Sequence, residues 1–332
     1  MRYRYRICGL TLASEIALPE LPLSSGTALA LEPDVSFRVE NCDQGSGARA
    51  DWFMSLALPT GEPSLACAKE PGGYRLRFPE LTDFRVDSSG REIVCEAAEG
   101  IPPASIRHLL LDQVIPRVLS LLGREALHAT AVLTPHGVCA FTGPSGAGKS
   151  TLAAFFHLAG YPVLSDDCLV LHEEGKVILA TPAYPGVRLW DDSAAALCCG
   201  REDLLPLAHC SSKRRVLADM RQVSCSPARA ALVRIYHLGE TPGKDGESGA
   251  GNRVIEVISR REAFIILVTS GFRLDITDRT MMARQFDLLE RVAMLVPVRR
   301  LHVPEDFSAL SAIRDTILAD LRATPESRQQ AA

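Results

Sequence analysis

Hydrophobic and polar positions alternate through much of the first hundred residues. Tyr74-Arg75-Leu76-Arg77-Phe78 and Asp83-Phe84-Arg85-Val86-Asp87 switch with period two, and Glu92-Ile93-Val94-Cys95-Glu96 is a third short run. That period predicts half-buried strands. Tyr3 to Thr11 reads as another strand, with Gly9 its weak point. Ile16 to Pro22 is expected to be extended, because each proline biases its predecessor away from helix. Breaks follow at Ser24–Gly26 and Gly45–Gly47. Short strands between turns suggest a small antiparallel module over residues 1–100.

The period changes after Pro102-Pro103. Ile106, Leu109, Leu110, Val114, Val118, Leu121 and Leu122 recur at helical spacing. Ser105 is the expected cap of this helix, and Pro116 is expected to bend or split it. Two strand-like runs follow, Leu127–Leu133 and Gly137–Phe141. Further on, Leu232–Leu238, Val254–Ile258 and Val296–Val303 predict strands, and Met281–Leu295 and Phe307–Ala323 predict helices. Gly239–Asn252 is polar and glycine-rich, the composition of a loop. The expected division is therefore a β-rich module over 1–100, an α/β domain over 101–324, and a frayed tail over 325–332.

Composition narrows the function classes. The 332 residues suggest about two domains. Hydrophobic residues make up 47% and charged residues 23%, enough apolar material for a core. The net charge of −4 offers no global basic field for nucleic acid. No apolar run nears the roughly 18–20 residues of a membrane helix. The basic start Met1–Arg6 is not followed by the apolar stretch of a secretory signal, so a cytoplasmic protein is expected. Ten cysteines include no Cys-x-x-Cys pair. They read as small apolar residues in a reducing compartment.

The chemistry concentrates at Gly143, Pro144, Ser145, Gly146, Ala147, Gly148, Lys149 and Ser150, which satisfy G-x-x-x-x-G-K-[ST]. An apolar strand, Val138–Phe141, precedes them and a helix-like run from Thr151 follows. Backbone N–H groups in such a loop turn inward onto phosphate oxygens, and the helix N-terminus adds its dipole. The nucleotide site is expected to span Gly143–Thr151, with Lys149 on the β- and γ-phosphates and Ser150 on Mg²⁺. Asp166 and Asp167 end the run Val163-Leu164-Ser165, and Asp167 lies 18 residues after Lys149. That leaves room for one helix, a turn and one strand, which brings the acids beside the loop. One acid can hold the metal while the other takes a proton from an attacking hydroxyl. His128, by its residue context alone, reads as a hydrogen-bonded core histidine more readily than as a functional one.

His128, the loop GPSGAGKS and Gly160-Tyr161-Pro162-Val163-Leu164-Ser165-Asp166-Asp167 together resemble the catalytic domain of HPr kinase/phosphorylase. The resemblance is specific over about residues 124–170. It implies a P-loop domain of the HPr kinase/PEP carboxykinase type, using ATP and Mg²⁺. It implies Asp166 as general base, Asp167 as the Mg²⁺ partner and His128 near the transferring phosphoryl group. The acceptor in that family is a serine hydroxyl on a protein, and members form homo-oligomers. Before residue 100 the chain does not resemble the N-terminal domain of the bacterial enzymes. Its opening, Tyr5 to Ile16 with Leu18-Pro19-Glu20-Leu21-Pro22, is similar to stand-alone HPr-kinase-like serine kinases. Some of those accompany lasso-peptide biosynthesis and act on the C-terminal serine of a precursor peptide.

Arg188 is a further candidate, either as a phosphate clamp or as an ordinary surface ion pair. Lys213-Arg214-Arg215 could bind an acidic peptide segment or steady the γ-phosphate, but reads more readily as a solvated charge run. A nucleotide-dependent switch and a small-molecule kinase remain alternatives to a peptide or protein kinase. A transporter ATPase and a GTPase are disfavoured, since neither an L-S-G-G-Q-like signature nor an N-K-x-D element is present.

Overall fold

The computed structural model describes residues 3–24, 32–41, 51–57, 61–184, 186–197, 204–208, 211–216, 229–239, 254–304 and 306–323. The glycine-rich stretch beyond Gly239, the tail after residue 324 and the break at 45–47 lie outside them, as do residues 25–26.

The first hundred residues form an eight-stranded sheet. Its strands are β1 (Tyr3–Ile7), β2 (Leu10–Ser14), β3 (Val35–Asn41), β4 (Asp51–Ala57), β5 (Pro63–Glu70), β6 (Gly73–Phe78), β7 (Thr82–Asp87) and β8 (Glu92–Ala97). They lie in the order β1-β2-β3-β8-β7-β6-β5-β4. Period two does the work along β7, where Thr82, Phe84 and Val86 are buried and their neighbours are half-buried. The expected antiparallel module is corrected in two places, because β2–β3 and β3–β8 are parallel. A parallel pair needs a crossover rather than a tight turn, and strand patterning carries no signal of pairing order. The strand expected over Tyr3–Thr11 is a hairpin instead. Cys8 and Gly9 both take positive φ, and Ile7 pairs with Leu10.

The helical run begins at Pro103, not at a Ser105 cap. Pro102 is the N-cap, and Ser105 is buried within α1 (Pro103–Leu109). A π-helical turn, Leu110–Val114, follows and leads into α2 (Ile115–Val118). Pro116 has no N–H to donate and stands in the first turn of α2, where none is needed. The helix is thus interrupted by a π turn that ends just before the expected proline.

The remaining strands are β9 (Glu125–Leu127), β10 (Thr130–Thr134), β11 (Gly137–Thr142), β12 (Val163–Ser165), β13 (Leu169–Glu174), β14 (Val177–Pro182), β15 (Val187–Trp190), β16 (Leu204–Ala208), β17 (Ser211–Val216), β18 (Ala230–Leu238), β19 (Ile255–Val257) and β20 (Val298–Leu301). The helices are α3 (Lys149–Leu158), α4 (Asp191–Leu197), α5 (Arg260–Ser270), α6 (Arg279–Leu295) and α7 (Leu310–Arg322), the last preceded by a 3₁₀ turn at Phe307–Ala309. A mixed sheet runs β12-β10-β11-β18-β14-β13-β9, with β20 joined to β18 and β19. Within it β11, β18 and β20 are parallel. A small sheet, β15-β17-β16, stands apart and takes Lys213, Arg214 and Arg215 into β17.

The mixed sheet is covered on both faces. Cys139 and Phe141 of β11 pack with Leu152 and Phe156 of α3 and Ile313 and Ile317 of α7. Val138 and Ala140, one residue out of step, pack with Ile266 and Leu267 of α5 and Leu289 and Val292 of α6. Each such large side chain contributes roughly 1.5–3 kcal/mol on burial. A third cluster crosses residue 100 and joins Phe37, Leu76 and Phe84 of the first sheet to Leu110, Val114, Phe272 and Leu274. Cys8, Cys67, Cys95, Cys139 and Cys168 are free and buried. Among the described residues no helix is long and apolar enough to cross a membrane.

Candidate active site

Strand β11 delivers the glycine loop and α3 carries it away, because the two pack through Phe141 and Phe156. Gly143 has φ 142°, and a Cβ there would lie 2.6 Å from the Leu238 carbonyl oxygen. No other residue type fits that approach of β11 to β18. Gly148, at φ 91°, is the N-cap of α3, so the loop enters the helix through a left-handed residue. The Lys149 ammonium donates to the Gly143 and Pro144 carbonyls at 2.8 and 2.9 Å. It closes the loop from its own helix.

Both acids follow the end of β12, and a serine pins the turn that carries them. Ser165 Oγ donates to the Cys168 carbonyl and accepts from Ala183 N at 3.0 Å. Asp166 is buried, at 1% exposure. Its Oδ1 accepts from Thr130 Oγ1 at 2.7 Å and Ser150 Oγ at 2.9 Å, and its Oδ2 accepts from Arg188 N at 2.8 Å. Burial, and then the Asp167 charge, push its carboxyl above the ordinary carboxylate range, against Arg188 and these donors. Asp167 has φ 63°, an unusual conformation for a non-glycine residue. That twist sends its carboxylate into the cleft while Asp166 stays beneath Ser150.

Arg188 is a buried residue paired with two carboxylates rather than a surface ion pair. It is buried and bonds Asp167 Oδ2 at 2.6 Å and Asp112 Oδ1 at 2.8 Å. Its guanidinium lies over the Tyr184 ring, 5.0 Å from the centroid, and donates to the Tyr184 hydroxyl. That hydroxyl donates to Asp112 Oδ1, and His108 Nδ1 lies 2.6 Å from Asp112 Oδ2. Burial opposes the guanidinium charge, but Asp112, Tyr184 and Asp167 outweigh it and raise its pKa.

His128 stands in the break between β9 and β10. Its backbone N–H donates to Ser270 O at 2.7 Å, and its ring meets Phe272 edge-on at 5.8 Å. Nδ1 lies 3.1 Å from the Asp167 carbonyl oxygen, which can only accept, so Nδ1 carries the proton.

These residues meet in a cleft of about 360 Å³. Ser145, Gly146 and Gly148–Thr151 form one wall, and Asp167, His128 and Arg188 another. His108, Asp112, Gln113 and half-exposed Trp190 complete it. Asp166 does not line it, although a base acting on a bound hydroxyl must. His108, Asp112, Tyr184 and Trp190 were not found by motif. The one local signal is the i,i+4 spacing of His108 and Asp112. Among the described residues no three or more His, Cys, Asp or Glu side chains gather to hold a metal by themselves. The Ser150 hydroxyl, oriented by the Asp166 carboxylate behind it, instead suits a hard cation that completes its shell with water and phosphate oxygens.

No family model matches the chain, and no curated protein matches it. Among solved structures, the Hpr(Ser) kinase/phosphatase from Coxiella burnetii is similar over 59% of this chain and 97% of its own length, at 11% identity and a TM-score of 0.33.

Proposed function

We propose that this chain is an ATP- and Mg²⁺-dependent kinase of the HPr kinase type, which transfers the γ-phosphoryl group to a serine hydroxyl of a peptide or protein. The C-terminal serine of a lasso precursor peptide is the first acceptor to try. The observation that carries the reading is the single cleft on which the loop, Asp167 and His128 all open.

The chain's residues divide the work as follows. Loop N–H groups and Lys149 hold the phosphates and offset charge on the transferring group. Ser150 would hold Mg²⁺ through its hydroxyl, with Asp166 behind it as the acceptor that orients that hydroxyl, and the ion would supply neutralisation of phosphate charge. Asp167 takes the proton of the serine hydroxyl. The hydroxyl oxygen then forms its bond to the γ-phosphorus as the bridging bond to the β-phosphate breaks, and ADP leaves. His128 fixes the Asp167 main chain, and Arg188 fixes its carboxylate. The resemblance implied Asp166 as the base and Asp167 as the metal partner. Burial of Asp166 under Ser150 and exposure of Asp167 to the cleft support this assignment instead. A nucleotide switch without transfer has no use for an acid facing the cleft, so Asp167 favours transfer.

The test is incubation with Mg²⁺, γ-labelled ATP and peptides ending in serine or alanine, read by peptide mass. One phosphate gained by the serine peptide, and absent with Asp167→Asn, is the expected result. Transfer at the parent rate by Asp167→Asn would remove that residue as the base.

A further inference from the structure

The glycine loop has a second face. Strands β11, β18 and β20 run parallel, so their carboxyl ends share one edge of the sheet. The loop follows β11, Gly239 follows β18, and Val303-Pro304 follow β20. Ligands of open α/β sheets bind at such an edge. Here these ends enclose a cleft of about 560 Å³ on the side of the loop away from Asp167. Ser145, Gly146, Gly148, Thr151 and Ser193 line both clefts, so the loop is a shared partition.

The two sides differ in chemistry. The Asp167 side carries two histidines, two acids and an arginine. Beyond the shared loop, the other side is walled by Val303, Pro304, Phe307 and Leu310, with Asp306 as its one charged residue among those described. Phe307 is 42% exposed beside a cradle built for anions. Its position is fixed, because Asp306 Oδ1 accepts from Ser308 N at 2.8 Å and so starts the 3₁₀ turn. Leu310 and Ile313 anchor the following helix in the core. An exposed aromatic on a rigid element, one step from a phosphate loop, matches the flat apolar face of a base.

We infer that the cleft on the β20 side takes the nucleoside of the bound nucleotide, its base against Phe307 and Pro304. The polyphosphate crosses the loop, and the Asp167 side is left to the acceptor. This rests on the reading of Gly143–Ser150 as the nucleotide phosphate site. The acceptor and the base then approach from opposite sides and do not compete for space.

The experiment compares ATP with inorganic tripolyphosphate, both with Mg²⁺, by calorimetric titration of the full chain. Base–aromatic stacking predicts that Phe307→Ala weakens ATP about 5- to 100-fold. Tripolyphosphate affinity should stay within about twofold, because that ligand has no base. Phe307→Trp should retain ATP affinity and show fluorescence quenching by ATP, beyond the parent's own change, that tripolyphosphate does not produce. Unchanged ATP affinity in Phe307→Ala overturns the inference. Equal losses for both ligands also overturn it, since they report damage to the loop rather than loss of a base contact. If neither ligand binds the parent protein, it is the phosphate-loop reading that fails.

Discussion

Ser150 Oγ donates to Asp166 Oδ1 at 2.9 Å, tying the first turn of α3 to the end of β12. The bond orients a hydroxyl at the mouth of the loop and sets a carboxylate directly behind it. Ser150→Ala removes one of the three donors to Asp166 and leaves Thr130 and Arg188 in place. The expected stability loss is about 1 kcal/mol. The larger effect is on the metal. Mg²⁺ should tighten ATP binding to the parent protein and leave the variant's affinity nearly unchanged. Titration with and without Mg²⁺ checks this, and an equal Mg²⁺ effect in both proteins would count against Ser150 as a ligand.

The two aspartates separate by the same logic. Asp167→Asn keeps the loop, Ser150 and Asp166 intact, so ATP affinity should hold while transfer falls by about 10²- to 10⁴-fold. Asp166→Asn should weaken Mg²⁺-supported binding itself, because an amide nitrogen replaces an acceptor of Arg188 N–H or of the two hydroxyls. Nucleotide affinity and single-turnover transfer, measured for both variants, distinguish the roles. A loss of transfer in Asp166→Asn at parent nucleotide affinity would return the base to Asp166.

Sequence reading succeeds where the structure is local. The strand, loop and helix around Gly143–Ser150 are contiguous, so their spacing alone announces them. The alternation in β7 and the helical period around Leu109–Val118 are visible for the same reason. Pairing order is not local, and the parallel neighbours β3 and β8 stand more than fifty residues apart in sequence. Asp112 and Tyr184 reach Arg188 only through packing of the π-helical turn against the loop before β15. Asp167 turns at φ 63°, a conformation that no residue type at the position announces.

The glycine loop should discriminate sharply between its own positions. An alanine Cβ at Gly143 would fall 2.6 Å from the carbonyl of Leu238, which β18 cannot move without disturbing the pairing of Leu238 to Leu301 of β20. At Gly148 a Cβ meets nothing within 4 Å, and only the left-handed φ of 91° opposes it. That backbone cost is about 1–2 kcal/mol. Gly143→Ala should therefore lower thermal stability more than Gly148→Ala, by at least another 1 kcal/mol or so, in the range of overpacked cores. Thermal unfolding of the two variants without ligand is the measurement, and equal midpoints would contradict the close approach at Gly143.

Asp275 ties the first sheet to the segment before α6, and its effect on stability should depend on pH. The carboxylate is buried; it pairs with Lys69 Nζ at 2.5 Å and accepts from Thr277 N at 2.8 Å and Thr277 Oγ1 at 2.6 Å. Burial by itself would raise its pKa, and these partners outweigh burial and lower it. The same carboxylate, after burial, pushes the Tyr74 hydroxyl up to about 12. With the folded pKa below the unfolded one, the unfolded chain holds more protons between the two values, and stability rises with pH across that window. The contribution is complete above the ordinary aspartate value of about 3.9 and is lost as pH falls through the lower folded value. Asp275→Asn should cost about 1–3 kcal/mol at pH 7. That gap should persist to about pH 5 and narrow below about pH 4. Urea unfolding of both proteins across this range measures it. A gap that stays constant below pH 4 would show that the charge at Asp275, as distinct from its hydrogen bonds, does not join the first sheet to the rest of the molecule.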